Sequence, residues 1–291
     1  STGSTREGLE LAGWRVLPVD TSVCGAEALK TLPRFEQVYV NAPDDTDDAA
    51  FNRKLFMARR RAEKALQDDP AFYVPSLSAV TLVYKGMVMP QHLVEFYPDL
   101  ADERMVASVA IFHQRFSTNT MPQWRLAHPF RFLAHNGEIN TVEGNRSWAF
   151  ARGPILKAPL LPNLGEVLPL VSMHGSDSQS LDNMLEVLLM GGLDVMHAMR
   201  LLIPPAWQSV DTIDPDLRAF YEFHVTHMEP WDGPAGVVLT DGRYAACTLD
   251  RNGLRPARWV VTDDRHLTIA SETGVWDYKP EQVLRKGKLG P

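Results

Sequence analysis

Residues 113–145 read HQRFSTNTMPQWRLAHPFRFLAHNGEINTVEGN, a stretch with few long apolar runs and many groups suited to gripping a small zwitterion. Arg115 offers a planar fork of donors that matches a carboxylate. Thr118 and Asn119 follow three and four residues later and add short donors for the same anion. Twenty residues on, Asn136-Gly137 sets a side-chain amide beside a residue with no Cβ, which lets a backbone N–H approach a ligand closely. An amide paired with such an N–H can stabilise an oxyanion. Taken alone, Asn-Gly is also the strongest two-residue hairpin turn signal, and a lone arginine belongs more often to an ordinary surface. The density of QRFSTNT, HNGEINT and EGNRSW within one window favours the binding reading.

The flanking elements follow from periodicity. Residues 13–18 and 37–40 form short β-like runs, with a helical turn between them at 27–32. An acidic, proline-containing loop at 41–48 can cap the helix predicted by Phe51, Leu55, Ala58, Ala62 and Leu66, which Pro70 stops. The basic run Arg59-Arg60-Arg61, with Lys64, reads as the solvated face of that helix. Residues 78–84 (SAVTLVY) and 105–112 are rich in β-branched and apolar side chains and read as strands. Arg115 is therefore expected just past the end of a buried strand, where a rigid scaffold positions ligand-binding residues. Residues 154–169 form a loop.

Gly175-Ser176-Asp177-Ser178 precedes a helix with Leu181, Leu185 and Leu188 on one face. Asp177 reads locally as its N-cap, a role compatible with presenting an oxygen to an ammonium group. A second helix runs from Asp194 to before Pro204, and a third starts at Pro215. His224 and His227 lack the spacing of a zincin site, so a helix end capped by histidines is the better account. From Ala235 the chain becomes a meander of strands, with Asp241-Gly242 as a hairpin turn. Strands at both ends and long helices between them give an α+β fold of antiparallel sheets covered by helices.

Composition excludes several function classes. The 291 residues are 45% hydrophobic and 22% charged, ordinary for a globular chain with an ample core. A net charge of −7 supplies no basic face for a nucleic-acid backbone. Two cysteines make neither a disulfide framework nor a paired zinc motif. There is no apolar run long enough for a membrane span and no secretory leader pattern, so the expected location is cytoplasmic. No glycine-rich nucleotide loop appears.

The runs FHQRFSTNT and LAHNGEINTVEGN resemble the class II glutamine amidotransferase domain of glutamate synthase large subunits. PSLSAVTLVYKGM upstream, and GSDSQSLDN, MEPWDGPAG and LDRNGLRPARW downstream, extend the likeness in order over nearly the whole chain. The resemblance implies the four-layer αββα sandwich of N-terminal-nucleophile hydrolases, as one domain spanning 1–291 and truncated at both ends. It implies that Arg115, Thr118 and Asn119 hold the α-carboxylate of glutamine and that Asp177 binds its α-amino group. Asn136 and Gly137 would form the oxyanion hole. It implies no cofactor in this domain, but FMN and an iron–sulfur cluster in a synthase region elsewhere in the parent, where ammonia meets 2-oxoglutarate. The implied partners are glutamine or glutamate, that synthase region and a small electron-supplying subunit, with neither nucleic acid nor membrane.

One departure stands out. The family's nucleophile is an N-terminal cysteine in a Cys-Gly motif, acting with its own α-amine as base, whereas this sequence opens Ser1-Thr2-Gly3-Ser4. Cys24 and Cys247 are internal, and Cys24 reads as a small, half-buried side chain. The expectation is a glutaminase domain without its nucleophile, inactive alone and binding glutamine or glutamate weakly. The rival is a non-catalytic amino-acid sensor or pseudoenzyme.

Overall fold

The computed structural model describes residues 6–116 and 121–291. Strand β1 (Glu10–Val16) pairs antiparallel with β2 (Glu36–Asn41). The loop after β2 feeds helix α1 (Asp48–Ala65), whose N-cap Asp47 accepts from the Ala50 N–H at 2.7 Å. A central three-stranded sheet, in the order β3-β4-β5, joins β3 (Leu133–Gly137) to the hairpin β4 (Ala235–Thr240) and β5 (Ala245–Leu249). Between β3 and β4 lie four helices: α2 (Val142–Arg152), α3 (Asp177–Met190), α4 (Val195–Leu202) and α5 (Pro215–Val225). A third sheet, β7-β6-β8, closes the chain with β6 (Arg258–Thr262), β7 (Leu267–Ala270) and β8 (Val283–Lys288). The expected α+β class with antiparallel sheets is the one observed.

The main core forms where α3 and α4 cover the central sheet. Leu133, Val237 and Leu239 on the sheet meet Leu181 and Leu185 of α3 and Ala198 and Leu202 of α4, each essentially inaccessible to water. Burying a leucine there contributes roughly 1.5–3 kcal/mol, so this layer holds β3 against α3. A second cluster gathers the rings of Phe96, Tyr97 and Trp124 with Phe35 among aliphatic neighbours. Their edge-to-face rings sit 4.6–5.9 Å apart.

Three expectations are corrected. Residues 78–84 are not a strand, because side chains replace the ladder: Asn52 Oδ1 accepts from the Ala79 N–H at 2.9 Å, and Ser76 and Ser78 hydroxyls accept from Val83 and Val80. Residues 105–112 are not a strand either. Val106 is 83% exposed and Phe112 60%, so no burial drives pairing, and Arg115 does not follow a buried strand. The arginine run of α1 is not a solvated face. Arg59 is buried and binds Glu63 at 2.7 Å and Glu186 at 2.5 Å, Arg60 reaches the carbonyls of Val167 and Pro169, and Arg61 pairs with Glu7 and Glu166. The closing strand β8, which lacks strict alternation, went unread in the sequence because its partner β6 supplies the order.

Candidate active site

The register of β3 is set from below by one carboxylate. Asp182, in the second turn of α3, accepts from the N–H groups of Arg131, Phe132 and Leu133 at 3.3, 2.8 and 3.3 Å. Fully buried there, its carboxyl is pushed up to about 6 by desolvation, against the pull of Arg131. Arg131 in turn donates to Glu63 at 2.8 Å and to the Val74 carbonyl at 2.8 Å. This anchoring fixes which residues reach the far end of the strand, namely His135, Asn136 and Gly137.

Asn136-Gly137 is not a hairpin turn. Both residues lie in the ladder, opposite Gly236 and Ala235 of β4, about a hundred residues away in sequence. Ala235 spends both its backbone groups on Asp250: its N–H donates to Asp250 Oδ2 at 3.0 Å, and its carbonyl accepts from the Asp250 N–H at 2.7 Å. One position beyond Gly137, the Glu138 N–H donates to the Pro234 carbonyl at 2.9 Å. Antiparallel neighbours turn alternately toward and away from the partner strand, so the Gly137 N–H faces away from β4, over the open edge of the sheet. Gly137 has φ +135°, and a Cβ there would fall 1.8 Å from Pro234 O, so only glycine fits. The half-buried side-chain amide of Asn136 has no hydrogen bond among the described residues.

Asp177 is brought to the same place by α3. Ser176, not Asp177, is the N-cap of that helix, its hydroxyl accepting from the Gln179 N–H at 3.1 Å. Asp177 occupies the first helical position, and its Oδ2 accepts from the Ile139 N–H at 2.8 Å, two residues past Gly137. Its Oδ1 accepts from the Ser178 N–H at 2.7 Å. Arg146 of α2 braces this helix start, donating to the carbonyls of Gly175 at 2.7 Å and Ser176 at 3.3 Å and to Ser180 Oγ at 3.0 Å. The segment after Gly137 is latched to residues 230–233. The Thr141 hydroxyl accepts from the Asp232 N–H at 2.9 Å, Asn145 donates to the Pro230 carbonyl at 3.1 Å, and a Cβ at Gly233 would fall 2.1 Å from Glu138 O.

Of the expected carboxylate clamp, Arg115 is exposed, and its guanidinium has no hydrogen bond or ion pair among the described residues. Thr118 and Asn119 lie outside the described residues. The approach to Arg115 is tied to β3 through histidines. His113 stacks on His128 with ring centroids 4.7 Å apart, and His128 Nδ1 accepts from the His135 N–H at 3.5 Å. Burial, together with His113 and His135, pushes His128 down to about 2, so it is a neutral spacer. Arg146, Ser178, Asp182 and Asp250 were not legible as site residues. Each acts through partners whose positions only the fold defines, although the EGNRSW, GSDSQSLDN and LDRNG runs that hold them stood out in the sequence.

Residues 2–291 match the family of class-II glutamine amidotransferases. The chain belongs to that family. It is 43% identical over 289 residues to the large chain of an NADPH glutamate synthase from Bacillus subtilis, covering 98% of this chain and 19% of that protein. It is 41% identical over 291 residues to a ferredoxin-dependent glutamate synthase from Antithamnion, covering 97% and 19%. It is 42% identical over 287 residues to the large chain of the Azospirillum brasilense NADPH enzyme, covering 98% and 19%. The amidotransferase chain thus spans about a fifth of the length of these relatives. The two internal cysteines suit structure better than nucleophilic attack. Burial pushes the Cys247 thiol up to about 11, and burial followed by the nearby Asp20 raises that of Cys24. His227 Nδ1 lies 2.8 Å from the Phe223 carbonyl at the end of α5, and no helix among the described residues is long and apolar enough to cross a membrane.

Proposed function

We propose that this chain is the glutaminase portion of a glutamate synthase, releasing ammonia from glutamine for the reductive amination of 2-oxoglutarate elsewhere in a longer cytoplasmic protein. The observation that carries the reading is the Ile139 N–H to Asp177 Oδ2 hydrogen bond of 2.8 Å, which joins an anionic group to the strand end holding an uncommitted amide and an outward N–H. Asp177 takes the α-ammonium of glutamine. Asn136 and the Gly137 N–H receive the oxygen of the tetrahedral intermediate formed when the family's cysteine thiolate, which neither Cys24 nor Cys247 supplies, adds to the γ-amide carbon, each donor contributing a few kcal/mol. Arg115, Thr118 and Asn119 close on the α-carboxylate. Ammonia leaves, and water then releases glutamate from the thioester.

Two separated cysteines cannot supply the thiolate set an iron–sulfur cluster takes, and no step here runs through that cluster or through FMN, which the reading assigns to the synthase region. The test is glutaminase kinetics in the full-length chain containing this domain. Asn136→Ala is expected to lower kcat about 10²–10³-fold with little change in KM. An unchanged kcat for that variant would overturn the assignment.

A further inference from the structure

One polar side chain at the site faces the interior. His135 is 3% exposed and points from β3 toward α3, where its Nδ1 lies 2.8 Å from the hydroxyl of Ser178, itself 3% exposed. That hydroxyl lies 3.2 Å from Asp177 Oδ1. We propose that His135 and Ser178 form a positioning relay that holds the Asp177 carboxylate ready for the ammonium group of an amino-acid substrate. The inference rests on the reading of Asp177 as the ligand of the substrate amine.

Hydrogen-bond polarity gives the relay its direction. An ionised carboxylate only accepts, so the Ser178 hydroxyl donates to Asp177, and its own oxygen is left to accept from the His135 Nδ1–H. This assigns the tautomer and leaves Nε2 bare. Nε2 is indeed buried with no hydrogen-bond partner. An apolar side chain at position 135 would carry no such uncompensated atom, and what the histidine contributes in return is the Nδ1 contact. The imidazole is kept neutral by burial, with His113 and Arg255 adding to that effect and Asp177 opposing it.

The relay answers a specific problem. An aspartate in the first turn of a helix can swing back to cap the helix's own N–H groups, which would withdraw it from a ligand. Ser176 already supplies that cap. Asp177 is then pinned on both oxygens, Oδ2 by the Ile139 N–H and Oδ1 by the Ser178 N–H and hydroxyl. Its remaining lone pairs have a fixed direction before any substrate arrives, which lowers the ordering cost of binding.

The test is steady-state glutamine kinetics in the full-length chain, with Asp177→Asn, Ser178→Ala, His135→Gln, His135→Asn and the Ser178→Ala/His135→Gln double variant. Ser178→Ala and His135→Gln are each expected to raise KM for glutamine about tenfold with kcat within about twofold, and the double variant is expected to be no worse than either. His135→Asn places an amide N–H near the position of Nδ1 and is expected to restore KM to within about threefold. Ser178→Ala introduces a strong helix former and keeps the test open should a histidine variant fail to fold. If Asp177→Asn raises KM but Ser178→Ala leaves it unchanged, or if the single losses multiply in the double variant, the relay is wrong while the amine site stands. An unchanged KM for Asp177→Asn removes the amine site and the relay with it.

Discussion

At the start of β3, Asp182 collects three backbone N–H groups while Arg131, Glu63, Arg59 and Glu186 pair charge against charge in the interior. At its other end, three to six residues on, Asn136 keeps its amide and Gly137 turns its N–H to the sheet edge. The first region spends its charges on the protein, and the atoms left over are the Nε groups of two arginines whose charge is already matched and the hydroxyl of Tyr73 beside Arg131. The second leaves donors uncommitted beside a pinned carboxylate. Those donors stay unspent in an ordered strand because its first residues are locked by Asp182. Rigidity at one end is what permits incompleteness at the other.

The largest expected effect breaks the locked end. Glu63 binds both Arg59 and Arg131, so Glu63→Ala removes the ion-pair partner of buried Arg131 and leaves Arg59 with Glu186 alone, and is expected to cost about 3–5 kcal/mol in urea denaturation. A loss below about 1 kcal/mol would show that the network is not what holds β3. Next, Gly137→Ala forces a side chain into φ +135° against the Pro234 carbonyl, and a loss of about 2–4 kcal/mol is expected together with lost glutamine turnover. A stable, active variant would mean that the strand end is freer than the ladder implies.

The pH response sharpens the contrast. Asp182 has its folded pKa raised to about 6, so the native state binds a proton that the unfolded state has already lost. The sign follows: this group's contribution is most favourable at low pH and declines as pH rises from about 4 through 6. Relative to Asp182→Asn, the wild type is expected to lose about 2–3 kcal/mol across that window, read from unfolding at several pH values. Parallel pH profiles for the two proteins would contradict it. The smallest structural effect falls on the exposed clamp. Arg115→Lys is expected to change stability by less than about 0.5 kcal/mol yet raise KM for glutamine, since a point-charge ammonium cannot reproduce the guanidinium fork. Unchanged kcat/KM for glutamine would remove Arg115 from the clamp.

Local pattern carried four of the five helices α1 to α5, because capping and periodicity are both short-range properties. It missed α2 (Val142–Arg152), and it put the cap of α3 on Asp177 where Ser176 supplies it. It also carried the cluster of HNG and GSDS residues whose convergence the Ile139–Asp177 contact shows. It failed at 78–84, where serine and asparagine side chains outbid a ladder, and at 59–61, where arginines that look solvated are buried against acids from distant segments.

What the sequence determined by itself was the chemistry on offer: a fork at 115, an amide and a bare backbone at 136–137, a carboxylate at 177, and amphipathic helices to carry them. Which of these meet was decided by tertiary structure alone. Asn-Gly became a strand end rather than a turn because β4, a hundred residues later, supplied its partner and left no room for a Cβ. Asp177 came to bridge the strand and its own helix start because Ser176 capped first, leaving one oxygen for the Ile139 N–H and the other for the Ser178 N–H. The physical reason is common to both: backbone hydrogen bonds between remote segments fix direction, and side-chain identity fixes only what is available to be directed.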